Sequence, residues 1–121
     1  MEKKHNLIIG NLGESIAKSY LKKKGYKIID QNYRTRYAEI DLIATYRQVL
    51  IFIEVRTKIS ECFGSPEETL TKKKINKITR NCLAYIYQNG WRKDYRIDAI
   101  CIVFAKKKGL ERISHYKNIL F

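Results

Sequence analysis

Six consecutive residues, Leu50-Ile51-Phe52-Ile53-Glu54-Val55, constrain this chain more than any other stretch. The run is too apolar and too β-branched to sit half in water, so it reads as a central strand covered on both faces. Glu54 does not suit that setting. An ionised carboxylate there costs several kcal/mol unless a cation, a metal or several donors face it. A second strand-like run, Glu39-Ile40-Asp41-Leu42-Ile43-Ala44, repeats the anomaly.

The polar link at Tyr46-Arg47-Gln48 is too brief for a parallel crossover, so the two runs are expected to form an antiparallel hairpin. With the turn centred between Arg47 and Gln48, Ile43 opposes Phe52, Asp41 opposes Glu54 and Glu39 opposes Arg56. Alternation places all six on one face. Opposed Cβ atoms lie about 4.5–5.5 Å apart, close enough for two carboxylates to share one divalent cation. The other face collects Ile40, Leu42, Ala44, Ile51, Ile53 and Val55. Arg47-Gln48 lacks the Asn-Gly or Asp-Gly chemistry of the favoured two-residue turn, so a four-residue loop from Tyr46 to Val49 is expected, with the same pairing. A plainer reading stays open: a Glu39–Arg56 cross-strand ion pair, with Asp41 near the wet end of its strand.

Acids in core strands stand out against the balance of the chain, 25 Lys and Arg against 12 Asp and Glu, a net charge of +13. Such a surface attracts polyanions by counterion release and steering, and nucleic acid is the expected partner. At 121 residues and 45% apolar content the chain is one domain, residues 1–121, not a disordered one. No apolar stretch approaches the roughly 20 residues that span a bilayer. The start, Met1-Glu2-Lys3-Lys4-His5-Asn6, leads into no signal-peptide pattern, so a cytoplasmic location without membrane association is expected. Cys62, Cys82 and Cys101 show no Cys-x-x-Cys spacing and read as free thiols. His5 and His115 are isolated and expected to be solvated.

Ile9, Leu12, Ile16 and Tyr20 recur at helical spacing, which predicts an amphipathic helix from about residue 7 to Lys24, closed by Gly25. Tyr26–Ile29 reads as a strand and Asp30–Arg36 as a polar connection to the hairpin. Ser65-Pro66-Glu67-Glu68 is a helix start, with a helix, interrupted near Thr71, running to about Gln88. Its buried stripe is Ile75, Ile78, Cys82 and Ile86. Tyr95–Phe104 and Glu111–Tyr116 complete the strands. The order α-β-β-β-α-β-β gives an α/β fold, a mixed sheet flanked by helices.

Metal-assisted phosphodiester hydrolysis needs hard oxygen ligands, an activated water and a cation near the developing charge. Asp41 and Glu54 would hold Mg²⁺ or Mn²⁺, Arg56 would face the scissile phosphate, and Glu39 would be a further ligand or an anchor for Arg56. Glu14, at the margin of the first helix's apolar stripe, either reaches this site or pairs with Lys18 on the surface. Lys72, Lys73, Lys74, Lys77 and Arg80, with Arg34 and Arg36, are either solvated surface or the grip on a phosphate backbone.

Gly13-Glu14 with Ala17 and Tyr20-Leu21, Gly25-Tyr26, Asn32-Tyr33-Arg34, Glu39 to Ala44, Phe52 to Arg56, Gly64-Ser65-Pro66 and Arg96-Ile97-Asp98 together resemble the bacterial YraN-like family over nearly the whole chain. That resemblance implies a restriction-endonuclease-like core with a PD-(D/E)xK-type site, similar to Holliday-junction resolvases. It implies Glu14 as the helix-borne acid, Asp41 as the motif aspartate, and Glu54 with Arg56 as the acid-x-Lys element. It further implies a Mg²⁺-dependent endonuclease acting on DNA, branched or otherwise structured, with a homodimer suited to a two-stranded substrate. Ala38 stands where the family usually has Gly, and Arg56 stands where the superfamily has Lys. Arginine keeps its charge and cannot give up a proton to help activate water. Two rivals stay open: a nucleic-acid-binding module without hydrolysis, and a basic scaffold whose acids merely pair with Arg56 and Arg96.

Overall fold

A computed structural model describes residues 2–107 and 109–119, with side chains described from Leu7 onward. Helix α1 (Glu2–Lys23) leads into β1 (Lys27–Arg34), β2 (Glu39–Tyr46) and β3 (Val49–Ile59). A short 3-10 turn (Pro66–Thr69), α2 (Lys72–Asn89), β4 (Tyr95–Ala105) and β5 (Gly109–Tyr116) follow. The order α-β-β-β-α-β-β is the one expected. The five strands form one sheet in chain order, antiparallel throughout except for the parallel β3–β4 pair, which α2 connects.

The helices cover opposite faces. Ala17 and Leu21 of α1 pack on Leu42, Ala44, Ile51, Ile53, Ile100 and Ile102. Ile78, Cys82 and Tyr85 of α2 pack on Ile43, Leu50, Phe52 and Ile97. The central strands β3 and β4 are thereby buried on both sides, which accounts for their continuous apolar runs.

Local signals explain the element boundaries. Gly25 adopts φ 93° after α1 and Gly90 adopts φ 63° after α2, left-handed conformations that end each helix. Thr71 caps α2 by accepting the Lys74 backbone N–H at 3.3 Å, whereas Ser65 makes no side-chain cap bond. The interruption expected near Thr71 is therefore a true break between the 3-10 turn and α2. Helix α1 starts at Glu2, ahead of the expected start near residue 7.

Four further expectations need correction. The polar segment Asp30–Arg34 is not a connection but the second half of β1. As an edge strand it bonds to β2 through its backbone while its polar side chains face water. The hairpin turn is a two-residue turn, because Arg47 and Gln48 both take positive φ, 50° and 67°, as a type I′ geometry requires. Ile40 packs with Ile43 and Phe52 on the α2 face rather than beside Leu42. The alternation breaks at Asp41, so Ile40 and Leu42 belong to the cores on opposite faces of the sheet. His115 is not solvated: its side chain is 6% exposed and lies 2.8 Å from Asp98. His5 lies outside the described side chains.

Candidate metal and nucleic-acid site

The ladder between β2 and β3 holds the expected register, Ile43 opposite Phe52, and its last paired rung is Leu42–Ile53. Beyond that rung the strands part. Asp41 Oδ2 accepts the Val55 backbone N–H at 2.7 Å, so a side chain takes the place of the next ladder carbonyl. Glu54, 6% exposed, lines the same cavity as Asp41 and opposes its ionisation. Burial first, and then Glu54, push the Asp41 carboxyl far above the usual carboxylate range.

These acids open into a cavity of about 430 Å³ whose lining also includes Glu39, Arg56, Lys74 and Lys77. Arg56 Nη2 donates to Glu54 Oε2 at 3.1 Å, while Arg56 Nε is buried without a protein partner. Glu39 is engaged by Arg34, Nη2 to Oε2 at 2.5 Å, so the Glu39–Arg56 pair entertained from the sequence does not form. Asn32 joins Glu39 to α1: with its amide turned to suit both carboxylates, the nitrogen donates to Glu14 Oε1 at 2.9 Å and to Glu39 Oε1 at 3.1 Å. Burial, followed by the Asp41 and Glu39 charges, raises the Glu14 carboxyl to about 7. Lys18 donates to Gln31 at 3.0 Å rather than bridging to Glu14.

The sheet contains a second buried acid, and the contrast is instructive. Asp98 is completely buried on β4, where burial alone would raise its carboxyl. His115 at 2.8 Å, Arg96 Nε at 2.9 Å and the Asn118 backbone N–H at 2.9 Å outweigh burial and hold it below the usual range. Asp98 is thus a compensated structural charge. Asp41 and Glu54 sit beside each other with one backbone donor and one guanidinium between them, which leaves the pair short of positive charge.

The other basic residues frame this cavity unequally. The β1–β2 connection is pinned to α2 by the buried Asn81, which bonds the Thr35 hydroxyl and the Ala38 carbonyl. Beside that anchor Arg36 and Arg80 lie 5.1 and 5.8 Å from the Tyr37 ring centroid, a cationic patch around a partly exposed aromatic. Lys77 lines the acidic cavity, whereas Lys72 and Lys73 are exposed and line no cavity described here. Lys74, part of the basic strip read from the sequence, lines this cavity and its neighbour. It lies one helical turn from Ile78 of the buried stripe.

Among the described residues no three His, Cys, Asp or Glu side chains converge as a ready-made metal cage. Two uncompensated carboxylates on an open cavity nevertheless fit Mg²⁺, which is characteristically held by one or two carboxylates, waters and substrate phosphates. Fold and cleft together define a small mixed α/β protein with a charge-deficient acidic pair set among lysines and arginines. A family model described as "Uncharacterised protein family UPF0102" matches residues 13–102, which include the acidic pair and the whole basic frame. The chain is 44% identical over 110 residues to a UPF0102 protein of Sulfurihydrogenibium sp., covering 90% of each chain. It is 41% identical over 116 residues to one of Alkaliphilus oremlandii, covering 93% of this chain and 97% of the relative. A third, from Caldanaerobacter subterraneus, is 38% identical over 120 residues, 98% of each. This chain belongs to the UPF0102 family, the YraN-like proteins its motifs resemble.

Proposed function

We propose that this protein is a Mg²⁺-dependent endonuclease that hydrolyses phosphodiester bonds in nucleic acid, DNA in the first instance. The carrying observation is the contrast between the two buried acidic sites. Asp98 is neutralised from within the fold, whereas Asp41 and Glu54 are held together with too little positive charge, on a cavity that opens to solvent. Buried groups kept at such a disadvantage mark functional sites more often than structural ones.

Asp41 and Glu54 would hold the ion, and the bound metal would supply Lewis-acid charge neutralisation and a more acidic water. The protein's own groups do the rest. Val55 N–H fixes one Asp41 oxygen and Arg56 fixes one Glu54 oxygen, so both carboxylates are oriented before substrate arrives. Arg56 stays charged and offers its remaining donors to a phosphate oxygen. Glu14, poised near neutrality, is the group available to accept a proton from the attacking water. Lys74 and Lys77, with the Arg36–Tyr37–Arg80 patch outside, grip the phosphate backbone on either side of the scissile bond.

The test is incubation of purified protein with linear, single-stranded and branched DNA in Mg²⁺ or Mn²⁺, beside Asp41→Ala. Cleavage by the wild type alone is expected, together with calorimetric Mg²⁺ binding that Asp41→Ala abolishes. A preparation that cuts none of these substrates overturns the proposal. One observation favours a second reading, a nucleic-acid-binding module without hydrolysis: the cation beside Glu54 is an arginine, which cannot donate or relay a proton. Under that reading Asp41→Ala binds DNA as tightly as the wild type or more so, and no cleavage exists to lose.

A further inference from the structure

A second cavity, of about 520 Å³, lies beside the acidic one and shares Val55, Arg56 and Lys74 with it. Its volume is within the range of about 300–1,000 Å³ typical of small-molecule sites. The lining is divided in chemistry: Arg56, Lys58 and Lys74 supply cations, and Ile9, Ile59 and Pro66 supply apolar surface. Glu14 reaches it from α1, and the shared Val55, Arg56 and Lys74 make the two cavities neighbouring parts of one cleft.

The α1 wall contains a glycine that internal packing does not explain. Gly13 faces Thr57 so closely that a Cβ would lie 2.1 Å from the Thr57 hydroxyl oxygen, so a side chain there is excluded by the fold. Gly10 also lies within α1 and lines the second cavity, but a Cβ added to it would meet nothing within 4 Å. Glycine within a helix costs about 0.5–1 kcal/mol relative to alanine. Here its effect is to keep the cavity wall at backbone level.

We propose that this second cavity receives one unstacked nucleotide next to the scissile phosphate, its base against Ile9, Ile59 and Pro66 and its phosphate on Lys58 and Lys74. The preferred substrate is then nucleic acid with at least one unpaired nucleotide at the cleavage position, because a base in a continuous duplex stack cannot enter. This inference deepens the endonuclease reading and rests on it for the neighbouring scissile bond, but the binding event itself needs no metal.

The test is fluorescence anisotropy in EDTA with a labelled single-stranded oligonucleotide, the same sequence as a perfect duplex, and that duplex carrying a one-nucleotide gap. Wild-type protein is expected to bind the single strand and the gapped duplex about tenfold more tightly than the perfect duplex. Gly10→Leu, which fills the cavity while removing a glycine from a helix, is expected to bring that ratio close to one without lowering Tm. If Gly10→Leu melts early, Lys58→Ala decides, with the same loss of preference expected. An absent preference in the wild type, or one that survives in the folded variants, overturns the proposal. Because these measurements contain no Mg²⁺, a preference without any cleavage in Mg²⁺ sinks the nuclease reading and leaves the nucleotide pocket standing.

Discussion

Replacing Asp41 with asparagine is expected to make the metal-free protein more stable. The substitution is nearly isosteric, and the amide oxygen can still accept the Val55 N–H that Asp41 binds at 2.7 Å. What disappears is a carboxyl that the fold keeps protonated beside Glu54 although the unfolded chain ionises it. Each pH unit above the unfolded value adds about 1.4 kcal/mol to that cost, so the gain at neutral pH is roughly 2–4 kcal/mol after the cost of burying the amide. Unfolding entropy is about 2.1 cal/mol/K per residue, so 121 residues give about 0.25 kcal/mol/K, and Tm rises by about 4 °C per kcal/mol. The pH dependence follows from the sign of the shift. Asp41 is held above its ordinary value of 3.8, so below that value it is protonated in folded and unfolded chains alike and costs nothing. Above it the unfolded chain ionises freely while the fold resists, so the advantage of the variant grows from about pH 4 to about pH 9. Thermal melts in EDTA across that range provide the assay. A Tm that falls at neutral pH, or a gap that narrows as pH rises, would refute the reasoning and place Asp41 among structural anchors.

Asp98→Asn, the same chemical change on β4, should act in the opposite direction and cost about 3–5 kcal/mol, because it leaves Arg96 without its buried partner; urea unfolding measures it. Glu14→Gln should flatten the pH–rate profile of cleavage. With a group of pKa about 7 acting as base, wild-type rate rises with pH through neutrality and the variant's does not. Asn81→Ala should cost about 1–3 kcal/mol by orphaning the Ala38 carbonyl. It should also speed amide hydrogen exchange in the β1–β2 connection, which exchange mass spectrometry resolves.

The hairpin was legible because period-two alternation and a short link leave few pairings, and Ile43 does oppose Phe52. The turn itself was not. Arg and Gln carry no intrinsic preference for left-handed φ, and the twist of the flanking strands imposes it on Arg47 and Gln48. Two acids in core strands announced a charge problem at the right place, but their surroundings depend on tertiary partners. Only the docking of α2 decides that Lys74 rather than Lys73 lines the cavities. His115 was misplaced because an isolated histidine does not report that the β4–β5 hairpin folds it back beside Asp98. A useful signal went unread there: an acid inside the apolar run of β4 requires a donor, and a histidine on the next strand could supply it. The broken alternation that puts Ile40 and Leu42 in different core clusters is a local backbone departure that hydrophobic patterning does not report.

The parallel β3–β4 pairing has a bearing on how the molecule assembles. Its rungs join positions such as Leu50 and Tyr95, far apart in sequence, whereas β1, β2 and β3 meet through short links. Loop closure favours the near-neighbour meander, and the distant crossover lags behind it. The two strands that carry Asp41 and Glu54 therefore meet through a local hairpin, whereas Lys74 and Lys77 reach the same cavity only through the crossover helix. The acidic pair belongs to the low-contact-order part of the fold and its basic surround to the high-contact-order part.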